Sequence, residues 1–207
     1  MKNQTPKFIR TSLASPIVIA MARILLEPGC LYHIYNHAVG KDKLFLSEEN
    51  YRYFLRRYKH FIPPIADTYV YCLIPNHIHF TVEIKQNIDL PRGYRYSASH
   101  YASKQFSNLF SSYAQAFNKQ QKRMGNLFIS NFKRKKIESD SYLTNLIKYI
   151  HLNPVTHHLV KDASQWKFSS FNAIRSTQQT FIARKKVLAW FGGIEEFTRH
   201  HGMVPKV

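Results

Sequence analysis

Apolar and polar positions alternate most cleanly over residues 68–84, TYVYCLIPNHIHFTVEI. Pro75-Asn76 supplies turn chemistry between two extended halves, so the stretch predicts strand, turn, strand. Successive side chains of a strand take opposite faces. His77, His79, Thr81 and Glu83 therefore share one face, and Ile78, Phe80, Val82 and Ile84 the other. Two imidazoles roughly 6–7 Å apart on one strand face can share a metal ion.

The same reading extends along the chain. After the turn signal Pro28-Gly29, residues 30–38 alternate and are rich in Tyr and Ile, which predicts a first strand. Ser47 is placed to cap a helix to about residue 61, with Glu48 and Glu49 in its first turn and Tyr51, Phe54, Leu55 and Tyr58 as its apolar stripe. Pro63-Pro64 stops it. Strands follow over 67–74 and 77–85, then a polar loop over 86–98. A long helix over 99–123 carries Phe106, Leu109, Phe110, Tyr113 and Phe117 at three- and four-residue steps. Residues 127–137 predict a fourth strand or extended segment bearing Lys133, Arg134, Lys135 and Lys136. Asp140 is placed to cap a helix over 141–152, ended by Asn153-Pro154. Residues 156–207 are less regular, with short helices about 185–191 and 194–200.

The order β-α-β-β-α-β-α predicts an α/β (α+β) fold of the ferredoxin-like, split βαβ kind: an antiparallel sheet with helices on one face. A further helix and a C-terminal tail are added to it. The third strand then lies centrally beside the first, and the His pair sits mid-sheet on the exposed face. Three segments are expected: an N-terminal extension over 1–27, a main domain over 28–155, and a tail over 156–207 that packs on the core or contacts a ligand.

Charge changes the picture most. Among 207 residues, 30 Lys and Arg stand against 12 Asp and Glu, a net charge of +18. That excess favours a polyanionic partner, above all nucleic acid. The two cysteines, Cys30 and Cys72, make neither a disulfide framework nor a thiol metal cluster, which points to a reducing cytoplasm. No apolar run is long enough to span a membrane. Lys2, Lys7 and Arg10 before the apolar run 13–22 imitate a secretory leader, but Pro16 interrupts the run and so basic a chain is a poor export; Met21 is an alternative start.

In YLTNLIKYIHLNPV, Asn145, Tyr149 and Asn153 recur every four residues and share a helix face. If this helix crosses the open sheet face, a phenol and a carboxamide meet two imidazoles. Two neutral His and one Asn oxygen would hold a divalent cation without cancelling its charge, leaving it able to polarise a phosphate oxygen. Tyr149 could then attack phosphorus as a nucleophile. Each residue also has a plainer reading. His-X-His is often packing, Asn before Pro a helix cap, and a basic tetrad a solvated strand edge.

The stretches PNHIHF and KYIHLNPV, in that order, resemble the HUH single-tyrosine transposases of bacterial insertion sequences, of the REP-associated tyrosine transposase type. LYHIYNHAVGKDKLFLSEENYRYFLRRY and SYAQAFNKQQKRMGNLFISNFKRKKIESDSYL extend the resemblance over residues 28–155, and QWKFSSF resembles the family's downstream part. The resemblance implies that Tyr149 is the nucleophile and that His77, His79 and Asn153 hold Mg2+ or Mn2+. It implies cleavage and rejoining of single-stranded DNA near hairpins through a 5′-phosphotyrosine link, by a monomer or a homodimer. His33, Arg123, Lys133, Arg134, Lys135 and Lys136 are further candidates for DNA contact, and His37 shares the face of His33. Tyr142, two turns before Tyr149, is the competing nucleophile. Two other readings stand beside this one: a non-catalytic DNA- or RNA-binding sheet, and a phosphoesterase with paired His-X-Thr motifs. The second needs two copies, and only His79-Phe80-Thr81 supplies one.

Overall fold

The computed structural model describes residues 25–202. The leader-like run and most of the N-terminal extension lie outside the described residues. Four strands, β1 (Leu31–His37), β2 (Ala66–Ile74), β3 (His77–Ile84) and β4 (Lys133–Lys136), form one antiparallel sheet in the order β2-β3-β1-β4. This is the split βαβ order, with β3 and β1 central as the element sequence predicts.

One face of the sheet is the main core. Helix α1 (Glu48–Phe61) and helix α2 (Ala98–Gln120) pack together there. Phe80 of β3 stacks on Tyr58 of α1 at 4.3 Å between ring centroids, and Phe54 meets Tyr113 of α2 edge-on at 5.1 Å. Ile34, Ile78, Phe80 and Val82 are fully buried, the apolar set that a period of two assigns to one face. The Tyr58 hydroxyl, buried with them, pairs with Thr68 Oγ1 at 2.8 Å, so its polar tip is satisfied inside the core.

The opposite face is not open. Helix α3 (Asp140–Thr156) lies against β2 and β3, and His77, His79 and Thr81 are each at most 3% exposed. The expected exposed face is thus corrected: Leu143, Leu146, Ile147 and Ile150 give α3 an apolar side that must be covered, and this half of the sheet covers it.

Three boundaries also differ. Ser139, not Asp140, caps α3, accepting from Tyr142 N at 3.3 Å. The helix does not stop at Asn153-Pro154 but runs through Pro154 to Thr156. A proline there forfeits only its own amide bond, and the last turn continues with His157 N donating to Asn153 O at 2.9 Å. Asn153 is therefore inside the helix, with its side chain free for another task. Finally, only residues 133–136 of the predicted fourth strand pair as a strand; Asn131 has φ of 61°, a left-handed turn that breaks the ladder before Phe132.

The tail is more ordered than its sequence suggests. After a 3-10 turn (Ala163–Gln165) come α4 (Phe171–Arg175), α5 (Arg184–Phe191) and α6 (Ile194–His200). Leu73 N donates to Phe168 O and Ala183 N to Thr68 O, so the tail covers the outer edge of β2.

Candidate active site

The register of the central strands assembles the site. On β3 and β1, His77 faces His37, His79 faces Tyr35, and Thr81 faces His33. Directly opposed residues project to the same side, so these six side chains line the face covered by α3. His37 and His77 stack at 4.6 Å, and His33 and His79 at 5.1 Å. From α3, Asn153 Oδ1 comes within 2.7 Å of His77 Nε2, and the Tyr149 ring stands edge-on to His79 at 5.6 Å. The four residues singled out in sequence are thus brought together. Tyr149 is 50% exposed although its neighbours are buried, so its phenol is at the mouth of the site. Tyr142, two turns earlier on α3, has its ring under the Lys135 ammonium, 4.4 Å from centroid to Nζ.

Burial dominates the electrostatics. It pushes His79 down to about 2, helped by the surrounding His33, His77, His37 and His157. Burial likewise takes His77 to about 4, partly offset by its contact with Asn153, and His33 to about 4, helped by the Lys135 charge. All three rings are therefore neutral near pH 7, with lone pairs available as ligands.

The hydrogen bonds say where those lone pairs point. His79 Nδ1 is paired with His33 Nε2 at 2.9 Å, while His79 Nε2 and Thr81 Oγ1 are buried without partners among the described residues. His77 Nδ1 lies 3.0 Å from Asn76 Oδ1 and its Nε2 2.7 Å from Asn153 Oδ1. Both oxygens are acceptors, whereas a neutral ring has only one proton to give. Either one of the two amides, Asn76 or Asn153, turns its NH2 to the ring, or a cation takes the lone pairs of His77 Nε2 and Asn153 Oδ1. Neighbouring ligands of an octahedral cation with bonds of about 2.1 Å lie about 3 Å apart, and an N–H···O hydrogen bond spans about 2.7–3.2 Å, so the spacing is compatible with either arrangement. Among the described residues no group of three or more His, Cys, Asp or Glu is placed to hold a metal ion. The fitting donor set is two imidazoles and one amide oxygen, which such a group does not include.

A second histidine cluster holds α3 in place. His201 Nδ1 donates to Phe197 O at 2.7 Å. Its Nε2 must then accept from His151 Nδ1, 3.0 Å away, which leaves His151 Nε2 to accept from Ser170 Oγ at 2.8 Å. Ser170 Oγ in turn accepts from Tyr71 N of β2 at 2.9 Å. His151 lies between Tyr149 and Asn153 in sequence and on another side of the helix, so this chain of bonds fixes the helix rotation that aims both. Sequence reading missed it because its partners are 19 and 50 residues away.

The buried histidines make acid stability predictable. Burial holds His151 well below its ordinary value and His201 near 4. A histidine whose folded pKa is depressed binds its proton more readily when unfolded. The stability it confers is full above about 6.5 and is lost as pH falls toward its folded value. In chelator-containing buffer, the urea midpoint is expected to fall steadily from pH about 6.5 to about 4, as the unfolded chain takes up protons that the buried His151 and His201 refuse. A midpoint that is flat over that range would refute this account of the cluster.

The basic candidates divide. Lys133 is paired opposite Tyr35 and Lys135 opposite His33, so both project to the site's face. Arg134 and Lys136 point to the other side: Arg134 bonds Ser103 Oγ at 2.8 Å and lies over Phe132, and Lys136 pairs with Glu27 at 2.5 Å. Arg123 is not brought to the site. Its guanidinium bonds Asp42 at 2.6 Å and Asn118 Oδ1 at 2.8 Å, bracing the end of α2.

No protein-family model matches the chain. A Haemophilus influenzae protein provisionally named a REP-associated tyrosine transposase is 31% identical over 108 residues, which are 51% of this chain and 59% of that protein. The chain thus matches about three fifths of the length of that relative. A solved REP-associated tyrosine transposase bound to a REP hairpin superposes with a TM-score of 0.58 at 18% identity, over 75% of this chain and 84% of the other. At that identity the likeness establishes the fold. In sequence over half its length, and in architecture, the chain resembles REP-associated tyrosine transposases. No helix among the described residues is long and apolar enough to cross a membrane.

Proposed function

We propose that the chain, like the proteins it resembles, is a REP-associated tyrosine transposase: it cleaves and rejoins single-stranded DNA near a hairpin. The observation that carries this reading is the placement of a half-exposed Tyr149 ring 5.6 Å from the buried His79, on the same helix whose Asn153 meets His77. The Tyr149 oxygen attacks the scissile phosphorus, forming a 5′-phosphotyrosine link as the P–O3′ bond breaks. The phenolic proton is released, and the departing 3′ oxygen ends as a free hydroxyl. The reverse attack by a 3′-OH rejoins the strand and restores the phenol. His77, His79 and Asn153 would hold Mg2+ or Mn2+, and a divalent cation bound there would polarise the scissile phosphate. The His33 ring keeps His79 Nε2 directed into the site. The +18 charge attracts the strand.

The test is incubation with hairpin-bearing single strands from the genome flanking the coding sequence, plus Mn2+, followed by a denaturing gel. A slow protein–DNA band and a shortened strand with a free 3′ end are expected. Reversible retention on a native gel with no covalent band would leave only a nucleic-acid-binding protein.

A further inference from the structure

We propose that Lys133, Lys135 and the Tyr35 hydroxyl form a phosphodiester-binding lane, which leads one flank of the single strand over the β4 edge to the imidazole pair. This inference rests on the reading of the chain as a single-strand DNA transferase. The sheet itself lays the lane out. Lys133, Tyr35 and His79 stand directly opposite one another on β4, β1 and β3, and Lys135, His33 and Thr81 form the next row. All six project to the face beneath α3. Neighbouring strands are about 4.8 Å apart, so Lys133 starts about 10 Å from His79, the scale of a nucleotide or two.

Each member has chemistry to spare. Lys133 and Lys135 are exposed, unlike the alternate residues Arg134 and Lys136, which are half-buried on the other face. Lys135 reaches inward, with its ammonium over Tyr142 of α3. It stands directly opposite His33 of the neighbouring strand. Tyr35 is partly exposed; its ring stacks on His33 at 4.6 Å and on His79 at 5.9 Å, and its hydroxyl has no hydrogen-bond partner among the described residues. A donor beside the imidazole pair, followed outward by two ammonium groups, matches a row of phosphate oxygens. No carboxylate stands opposite Tyr35, His33, Lys133 or Lys135 in these rows to cancel the charge.

The test uses the full chain carrying Tyr149→Phe, so that binding is read without cleavage. The affinity for a fluorescent hairpin-bearing single strand is measured by anisotropy over a range of salt. Each phosphate neutralised on a single strand contributes about 0.7 to the slope of log K against log salt, so Lys133→Ala/Lys135→Ala is expected to flatten the slope by about 1.4. The charge-matched pair Lys104→Ala/Lys119→Ala, on α2 across the sheet, should leave it unchanged. Tyr35→Phe should weaken binding at every salt concentration without altering the slope. Neutral methylphosphonate linkages beside the cleavage position should weaken the parent and not the Lys133→Ala/Lys135→Ala variant. Equal flattening by both lysine pairs, or by neither, would overturn the lane while leaving DNA binding intact. If the parent holds no DNA at all, the transferase reading itself falls, and the lane with it.

Discussion

Tyr149→Phe is expected to abolish the covalent protein–DNA band and lower strand cleavage by at least about 10^3-fold, because the variant lacks the hydroxyl that forms the bond. The hydroxyl is the only atom removed. Tyr149 is half exposed and its ring contact with His79 survives in Phe, so stability should shift by less than about 0.5 kcal/mol. DNA affinity should stay close to that of the parent. Tyr142→Phe supplies the contrast: its ring sits under Lys135, two turns of α3 before Tyr149, so the covalent band should persist. If Tyr149→Phe still forms the band and Tyr142→Phe does not, the nucleophile has been misassigned.

The second large effect is expected at His79. Its Nε2 is buried with no partner among the described residues, while its Nδ1 is committed to His33. Truncation to Ala would leave His33 Nε2 unpaired and cost about 1–3 kcal/mol, confusing function with folding. His79→Gln keeps a neutral polar group of similar length and is the better probe. Mn2+-dependent cleavage should drop by about 10^2-fold or more, with hairpin binding retained, as expected when a cation that stabilises transition-state charge is no longer held. Mn2+ affinity, followed by electron paramagnetic resonance on the DNA-free protein, should weaken in parallel. Unchanged affinity and cleavage in a variant that melts normally would mean that His79 serves packing and no cation.

How much of this was legible beforehand follows from the range of each interaction. Alternation placed His77 and His79 on one strand face, and the four-residue step placed Tyr149 and Asn153 on one helix face, because both patterns are local. The element order was enough to make β3 central. The same period of two divides Lys133 and Lys135 from Arg134 and Lys136, but only the β4 register says which pair joins the site. Tyr35 was passed over, since nothing within β1 reveals that it faces His79 across 44 residues of sequence. Pro154 was misread as a stop, because a proline in the last turn loses a single bond and the buried packing of α3 makes that tolerable. The His151–Ser170–His201 cluster depends on the tail folding back over β2 and α3, which no local pattern encodes.

Digesting the covalent complex and locating the DNA-derived mass by tandem mass spectrometry tests the central claim most directly. A nucleotide phosphate on the peptide containing Tyr149, attached at that residue and formed only when Mn2+ or Mg2+ is present, is the predicted result. An adduct on Tyr142 or Tyr35, or its formation at undiminished yield in chelator, would contradict it.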